Sequence, residues 1–322
     1  MRSKRILGVF MITVSILLSS CSYLGVQNES RYNVWLIAKS SASQFWDSAF
    51  AGANAAKTAY NIDLHITAPE TEEQYDRQNN MIAKAVRDGA DAIIFSAISY
   101  SDNAAAIDAA ADAGVKIIVI DSDVDSDKVD VRIGTDNVQA GRMTGNAVLD
   151  TDDDEICVGI VNFALGSRNG QEREEGLREV LEEDPRVTGI YRVNVDSTPE
   201  AAAIGVGMLL DDHPEIDVLV GLNEILAVGT ARAVDNLDLS DSIRVVGFDT
   251  NVECVELMRE GVVTALIAQN PYAMGYLGVE YAWKVLEGEH FDNDVWIDTS
   301  TTIINRRNMF SQENQQALFS FG

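Results

Sequence analysis

Residues 91–123 have the sequence DAIIFSAISYSDNAAAIDAAADAGVKIIVIDSD, and this stretch decides the fold class. Two short apolar runs, 92–96 and 116–120, flank an alanine-rich segment at 103–113. Short runs that are apolar on both faces are typical of strands buried in a parallel sheet, and the segment between them has the length of a helix. The stretch therefore predicts a strand–helix–strand unit with two parallel strands.

The same unit recurs along nearly the whole chain. Strands are predicted at 34–38, 63–67, 92–96, 116–120, 130–134, 156–162, 189–195, 218–221, 244–248 and 263–268. Helices are predicted at 46–60, 72–87, 103–113, 168–183, 200–212 and 272–286, among others. This alternation predicts an α/β protein with parallel sheets covered by helices on both faces. A chain of 322 residues favours two domains over one.

The N-terminus has the features of an export signal. Arg2, Lys4 and Arg5 precede an apolar run at 6–18. Thirteen apolar residues are too few for a membrane-spanning helix, which needs about 20. A basic start followed by a short apolar run and small residues is typical of a secretory signal peptide, predicted here at 1–20.

The residues that follow predict how the exported chain is held. Leu18-Ser19-Ser20-Cys21 resembles the bacterial lipobox, in which the cysteine receives a lipid and becomes the new N-terminus. We therefore expect a membrane-anchored lipoprotein with Cys21 as lipid anchor and 21–31 as a tether. Two acyl chains anchor a protein stably. The alternative is an ordinary signal peptide with an incidental cysteine.

Charge and cysteine content exclude several classes of protein. Asp and Glu total 51 against 24 Lys and Arg, a net charge of −27. Such a chain repels phosphate backbones, so we expect no nucleic-acid partner. Besides Cys21, only Cys157 and Cys254 occur, both in apolar contexts, and we expect them to be small buried thiols.

No pattern of catalytic or metal-binding residues emerges. His65, His213 and His290 are scattered, without metal-ligand spacing. The aspartates at 121, 123, 125 and 127 mimic the start of a calcium loop, but Ser126 replaces the required glycine and Arg132 the required glutamate. We therefore expect a protein that is not an enzyme, with no cofactor and no metal.

Polar residues cluster where the predicted strands end, and ligands of open parallel sheets bind at the carboxyl ends of the strands. These residues are Ser43, Ser96, Asp121, Asn162, Asn223, Asp249 and Gln269. Phe45 and Trp46 lie beside the first of them. Amides and carboxylates bind hydroxyl groups, and aromatic rings cover apolar C–H faces, so the set suits a polyhydroxylated ligand. The alternatives are helix caps and turns for the polar residues and core packing for the aromatic pair.

From about Asn33 to Asn308 the sequence resembles the periplasmic sugar-binding proteins of the ribose-binding type, which are related to lactose-repressor cores. The resemblance is carried by the order and spacing of IGTDN at 133–137 with Gly141, QEREEG at 171–176, NE at 223–224, VVGFD at 245–249 and ALIAQ at 265–269. It implies a periplasmic binding protein of type I, with two Rossmann-like lobes and a three-strand hinge.

By the same resemblance, the chain divides at three crossings. The N-terminal lobe comprises 32–135 plus 270–298, the C-terminal lobe 136–269 plus 299–310, and 311–322 form a tail. We expect the lobes to close on the ligand as rigid bodies, with Gln171 and Asn223 on the second lobe and Asp249 on the first lobe's side, near the crossings.

The resemblance also implies a set of ligand-binding residues. Phe45 and Trp46 match the family's stacking aromatics, and Asp121, Asn223, Asp249 and Gln269 match its hydroxyl-binding residues. Ser43 and Ser96 lie where ribose binders have asparagines. These binders also carry one arginine where this chain has Ser122 and another where it has Gln171, so we expect both guanidinium groups to be lost and a ligand other than ribose. Arg168 and Asn169 are either substitute donors or loop residues facing solvent.

The function implied is that of an extracytoplasmic solute-binding lipoprotein. It would act as a monomer, capture a monosaccharide or sugar-like ligand and deliver it to the permease of an ABC transporter. The alternative is a sensor that presents its closed form to a membrane histidine kinase or chemoreceptor. A repressor is not expected, because a secretion signal occupies the place of a DNA-binding headpiece.

Overall fold

Strands and helices alternate along the residues that the computed structural model describes, 31–292, 295–312 and 314–315. The strands of this part of the chain are β1 (Asn33–Ile37), β2 (Asp63–Thr67), β3 (Ala92–Phe95), β4 (Lys116–Ile120), β5 (Val131–Gly134), β6 (Ile156–Asn162), β7 (Val187–Asn194), β8 (Val218–Gly221), β9 (Arg244–Phe248), β10 (Val263–Ala268), β11 (Trp296–Asp298) and β12 (Thr302–Asn305). The helices are α1 (Gln44–Ala59), α2 (Tyr75–Arg87), α3 (Ala104–Asp112), α4 (Asn137–Leu149), α5 (Arg168–Glu183), α6 (Pro199–Asp212), α7 (Glu224–Asn236), α8 (Val252–Glu260) and α9 (Pro271–Leu286).

The strands form two six-stranded sheets, in the orders β11-β5-β4-β3-β1-β2 and β12-β10-β9-β8-β6-β7. This confirms the predicted α/β class with two Rossmann-like sheets. One strand departs from the parallel arrangement: β12 pairs antiparallel with β10 through Leu266 and Ile304. That strand is short and lies at the sheet edge, where an antiparallel strand on an otherwise parallel sheet is common.

The chain passes between the two sheets three times: after Gly134, after Ala268, and between Asp298 and Thr302. Here β1–β5, β11, α1–α3 and α9 are called the first lobe, and β6–β10, β12 and α4–α8 the second lobe. Two glycines let the helices that follow the first two passages pack closely. A Cβ at Gly275 of α9 would lie 1.8 Å from the carbonyl oxygen of Ala49 in α1, and one at Gly176 of α5 would lie 1.9 Å from that of Val138 in α4.

The inner strands of each sheet, such as β3 and β8, are buried on both faces, which explains why they carry no polar side chains. In the first lobe, Leu36 and Ile94 pack on one face, whereas Ile37 and Ile93 pack on the other. Cys157 and Cys254 are buried free thiols, as predicted.

Several predictions fall on residues outside the described part of the chain. These are the signal peptide at 1–20, Cys21, the tether up to residue 30, and most of the tail from 311 to 322. Among the described residues, no helix combines the length and apolar character needed to cross a membrane.

Candidate ligand-binding site

A cavity lies between the lobes, at the carboxyl ends of strands from both sheets. The cavity volume is about 30 Å³, so the lining side chains of the two lobes lie close together. The lining residues are Lys39, Ser43, Phe45, Trp46, Glu72, Asp121, Phe163, Asn169, Arg173, Asn223, Glu224, Ile225, Asp249 and Gln269. Seven of the nine residues predicted to bind ligand are therefore brought together here, and Ser96 and Gln171 are not among the lining residues.

Asp121 and Asp249 occupy equivalent positions in the two lobes. Each follows the third strand of its sheet in the spatial order given above, β4 or β9, and each has a left-handed backbone, with φ of 59° and 66°. The amide of Asp121 donates to the carbonyl of Ile133 at 3.0 Å, and that of Asp249 to Ile267 at 2.9 Å. Aspartate is among the few residues that tolerate this backbone, so both carboxylates are held in place at the cavity by the adjacent strand.

Asp249 belongs to the second lobe, because β9 is part of the second sheet. The expectation that it lies on the first lobe's side is therefore wrong. The carboxylates of Asp121 and Asp249 consequently reach the cavity from opposite lobes.

Two polar side chains donate hydrogen bonds to the carboxylate of Asp121. Its Oδ2 accepts a hydrogen bond from Ser96 Oγ at 2.9 Å, and its Oδ1 accepts one from Asn169 Nδ2 at 3.3 Å. Ser96 thus orients Asp121 instead of lining the cavity. Asn169 is buried and belongs to α5 of the second lobe, so its bond to Asp121 crosses between the lobes.

Arg173 of α5 is 1% exposed and supplies a guanidinium group to the cavity. Its Nε donates to Asn137 Oδ1 at 3.0 Å, Nη1 to the carbonyl of Leu222 at 2.9 Å and Nη2 to Gln269 Oε1 at 2.9 Å. Gln269 Nε2 in turn donates to Asp249 Oδ1 at 2.8 Å. The network connects α5 to the strand ends of the second sheet.

The expectation that both guanidinium groups are lost is therefore wrong for one of them. Gln171 is exposed, and its side-chain amide bonds the carbonyl of Leu165, away from the cavity. Arg173 lies two residues further along α5, about 200° around the helix, and faces inward. Of the two residues left open, Asn169 lines the cavity, whereas Arg168 is half-exposed and pairs with Glu172 at 2.7 Å.

Burial shapes the electrostatics of Asp249. Burial raises the pKa of its carboxyl group to about 7, although the nearby Arg173 guanidinium acts in the opposite direction. Burial likewise lowers the pKa of Arg173, against the attraction of Asp249 and Asp121. Asp249 is thus the acidic group of the cavity that changes charge near neutral pH.

Phe45 and Trp46 lie in the first turn of α1 and both line the cavity. Their rings meet edge to face, with centroids 5.1 Å apart. Trp46 is 1% exposed and also belongs to the first lobe's core. It therefore both packs in the core and lines the cavity, the two roles considered from the sequence. Phe163 adds a ring from the second lobe.

Lys39, directly after Ala38 at the end of β1, is a cavity residue that the sequence analysis missed. It is 2% exposed, its Nζ donates to Ser167 Oγ at 3.0 Å, and it lies 3.4 Å from Glu72 Oε2 and 5.0 Å from the Phe163 ring centre. No group of three or more metal-ligating side chains is found among the described residues.

Comparisons with known proteins agree with this architecture. A crystal structure of a carbohydrate transporter solute-binding protein from Agrobacterium radiobacter, in complex with D-arabinose, has a TM-score of 0.86 at 24% identity and covers 90% of this chain and 100% of its own. The two proteins thus share the same fold.

Two further relatives and a family match identify the chain. The ribose import binding protein of Bacillus subtilis (strain 168) is 22% identical over 89% of this chain and 94% of its own length. The structure of a sugar transporter from Clostridium phytofermentans is 34% identical, with a TM-score of 0.76, over 86% of this chain and 100% of its own. Residues 34–290 match the family described as periplasmic binding protein domain. This chain therefore belongs to the periplasmic binding protein family.

Proposed function

We propose that this protein captures a monosaccharide or a similar polyhydroxylated molecule in the cavity between its lobes. The observation that carries the proposal is the pairing of two fixed aspartates from opposite lobes with aromatic rings from both. Asp121 and Asp249 accept hydrogen bonds from ligand hydroxyl groups, Arg173 and the amides donate to them, and the rings of Phe45 and Phe163 cover apolar faces.

The captured ligand is then delivered to the permease of an ABC transporter. The relatives described above are named for transport and import, which supports this role over that of a sensor. The active unit in this proposal is a monomer. No catalytic step is proposed.

Calorimetric titration with neutral pentoses and hexoses, including D-ribose and D-arabinose, tests the ligand class. At least one sugar should bind, and Asp121→Asn should weaken its binding by about 10-fold to 150-fold, because a hydrogen bond to a charged group contributes about 1.5–3 kcal/mol. Asparagine also tolerates the left-handed backbone of position 121, so the fold should persist.

Asp112→Asn is the matched control, because it removes an exposed carboxylate at the end of α3. Its affinity should equal that of the unmodified protein. If no neutral sugar binds, or if the two variants bind equally well, the proposed site is wrong.

We further propose that the protein is exported and held at the membrane surface through lipid on Cys21. The family name supports a location outside the cytoplasm. The basic start, the short apolar run and the cysteine after two serines support the anchor.

Cys21→Ala should abolish lipid attachment and release the protein from membranes. Two acyl chains give stable membrane binding, and the alanine side chain accepts neither. Labelling with a radioactive fatty acid, followed by separation of membrane and soluble fractions, measures both effects, with Cys254→Ala as the control that keeps its lipid. Lipid labelling and membrane retention of a Cys21→Ala variant would contradict the anchor.

A further inference from the structure

The two lobes exchange N-terminal helix caps across the cleft, through α1 of the first lobe and α7 and α8 of the second lobe. Glu224, the first residue of α7 in the second lobe, accepts hydrogen bonds from the amide of Gln44 at 3.1 Å through Oε1 and from the amide of Phe45 at 2.8 Å through Oε2. Both amides belong to the first turn of α1 in the first lobe. In return, the side-chain Oε1 of Gln44 accepts a hydrogen bond from the amide of Val252, the first residue of α8, at 3.1 Å.

The exchange satisfies backbone groups that a helix cannot satisfy by itself. The first amides of any helix lack an intrahelical acceptor, and they attract negative charge. In α1, the hydroxyl of Ser43 takes the amide of Trp46 at 3.3 Å, and Glu224 takes those of Gln44 and Phe45. The acceptors for the start of α1 are therefore divided between the two lobes.

The Glu224 carboxylate accepts most of its hydrogen bonds from protein groups. It is 5% exposed, and Asn251 Nδ2 donates a third hydrogen bond to Oε1 at 2.7 Å. Since an ionised carboxylate offers about four acceptor positions, three are occupied by protein groups. Glu224 thus acts on the cavity through Phe45 and the neighbouring Trp46, which form its aromatic wall.

We propose that Glu224 is a positioning residue that holds the two lobes closed through protein contacts alone and fixes the aromatic wall for the ligand. The proposal rests on the proposed function, in which closure around a ligand is the binding step. Opening the cleft separates Glu224 from both amides and Gln44 from Val252. A ligand that binds the closed form has an apparent dissociation constant inversely proportional to the closed fraction, so the cap exchange raises affinity by increasing that fraction.

Distances between spin labels on the two lobes, measured without any sugar, test the proposal. Labels at Arg77→Cys on α2 and Ile204→Cys on α6 use exposed positions, whereas the native Cys157 and Cys254 are buried. The unsubstituted cleft should show a substantial population at the short distance. Glu224→Ala should lower the ratio of closed to open protein by at least about 10-fold, because it removes hydrogen bonds to a charged group.

Glu224→Gln should give an intermediate ratio, because its amide retains one oxygen that accepts from an α1 amide. Gln44→Ala should also open the cleft, and it provides a second variant if Glu224→Ala fails to fold. Asp235→Asn, an exposed charge removal on the same helix α7, should leave the distances unchanged.

An exclusively long distance in the unsubstituted cleft, or equal closed fractions in folded Glu224→Ala and Asp235→Asn, would overturn the proposal. Because no sugar is added, this outcome is independent of whether the protein binds one. Failure of the calorimetric titrations, in contrast, would leave the label distances unaffected.

Discussion

Replacing Arg173 by methionine is expected to lower the free energy of unfolding by about 3–5 kcal/mol, the usual effect of removing one partner from a buried charged network. Methionine fills much of the same volume but donates no hydrogen bond. Asn137 Oδ1, the carbonyl of Leu222 and Gln269 Oε1 would each lose a donor in a region closed to water. The ring of Phe248, 4.3 Å from the guanidinium carbon, would also lose its cation.

Urea unfolding followed by far-ultraviolet circular dichroism measures this loss, and the chain provides a close control. Arg168→Met alters an arginine in the same helix α5 that is half-exposed and contacts Glu172 and the Tyr100 ring. Exposed pairs contribute about 0–1 kcal/mol, so this variant should be nearly as stable as the unmodified protein. Arg173→Lys keeps the positive charge but lacks the planar guanidinium group with its fixed donors. It should therefore recover only part of the lost free energy of unfolding. Equal stabilities of the two methionine variants would show that the Arg173 network does not hold the second lobe together.

The fold was predictable because a buried parallel strand can be recognised from its own short run of apolar residues. In strands such as β3 and β4, every position except Lys116 is apolar, since neither face meets water, and a helix of fixed length must separate the two strands. The predicted bounds of α5, 168–183, are those observed. The strand β12 was missed because it has only four residues, TIIN, and pairs at the sheet edge.

The candidate site was less accessible to sequence reasoning, as α5 demonstrates. Its first turns, RNGQEREEG, carry charged or amide side chains at nearly every position, so no apolar stripe indicates which face is inward. The inward face is set by the close packing of α5 against α4 at Gly141 and Gly176, which the sequence of α5 alone does not reveal. Arg173 could therefore not be distinguished from Gln171 by periodicity alone.

The burial of Lys39 in the cavity is a second feature that could not be predicted from the sequence. Lysine is almost never fully buried unless it is paired, so a lysine after a strand predicts a solvent-facing residue. Its burial depends on Glu72 from the same lobe and on Ser167 and Phe163 from the other lobe. The sequence signals none of these partners, because they become neighbours only when both lobes are folded and face each other.

Replacing Asp249 by asparagine is expected to stabilise the protein at pH 7.5 more than at pH 5.0. Burial raises the pKa of this carboxyl group from 3.8 to about 7. Between these two values the folded state holds a proton that the unfolded state releases, so the free energy of unfolding falls as pH rises through this window and is constant above it. A shift of about three pKa units corresponds to at most about 4 kcal/mol, and asparagine, which does not ionise, removes this loss. It also tolerates the left-handed backbone at φ 66°.

Urea unfolding at pH 5.0 and at pH 7.5 gives the free energy of unfolding of the variant and of the unmodified protein. The difference between the two proteins, compared between the two pH values, reports the titration of Asp249 alone, because the other titrating groups are present in both. Asp235→Asn on the exposed face of α7 reports the effect of removing one surface charge. A stability difference for Asp249→Asn that is the same at pH 5.0 and 7.5 would contradict the raised pKa.

Proton release on ligand binding tests whether Asp249 contacts the ligand. A sugar hydroxyl that donates a hydrogen bond to Asp249 stabilises its ionised form, so binding near pH 6.5 should release protons. Titrations in buffers of different ionisation enthalpy measure that release, and Asp249→Asn should abolish it.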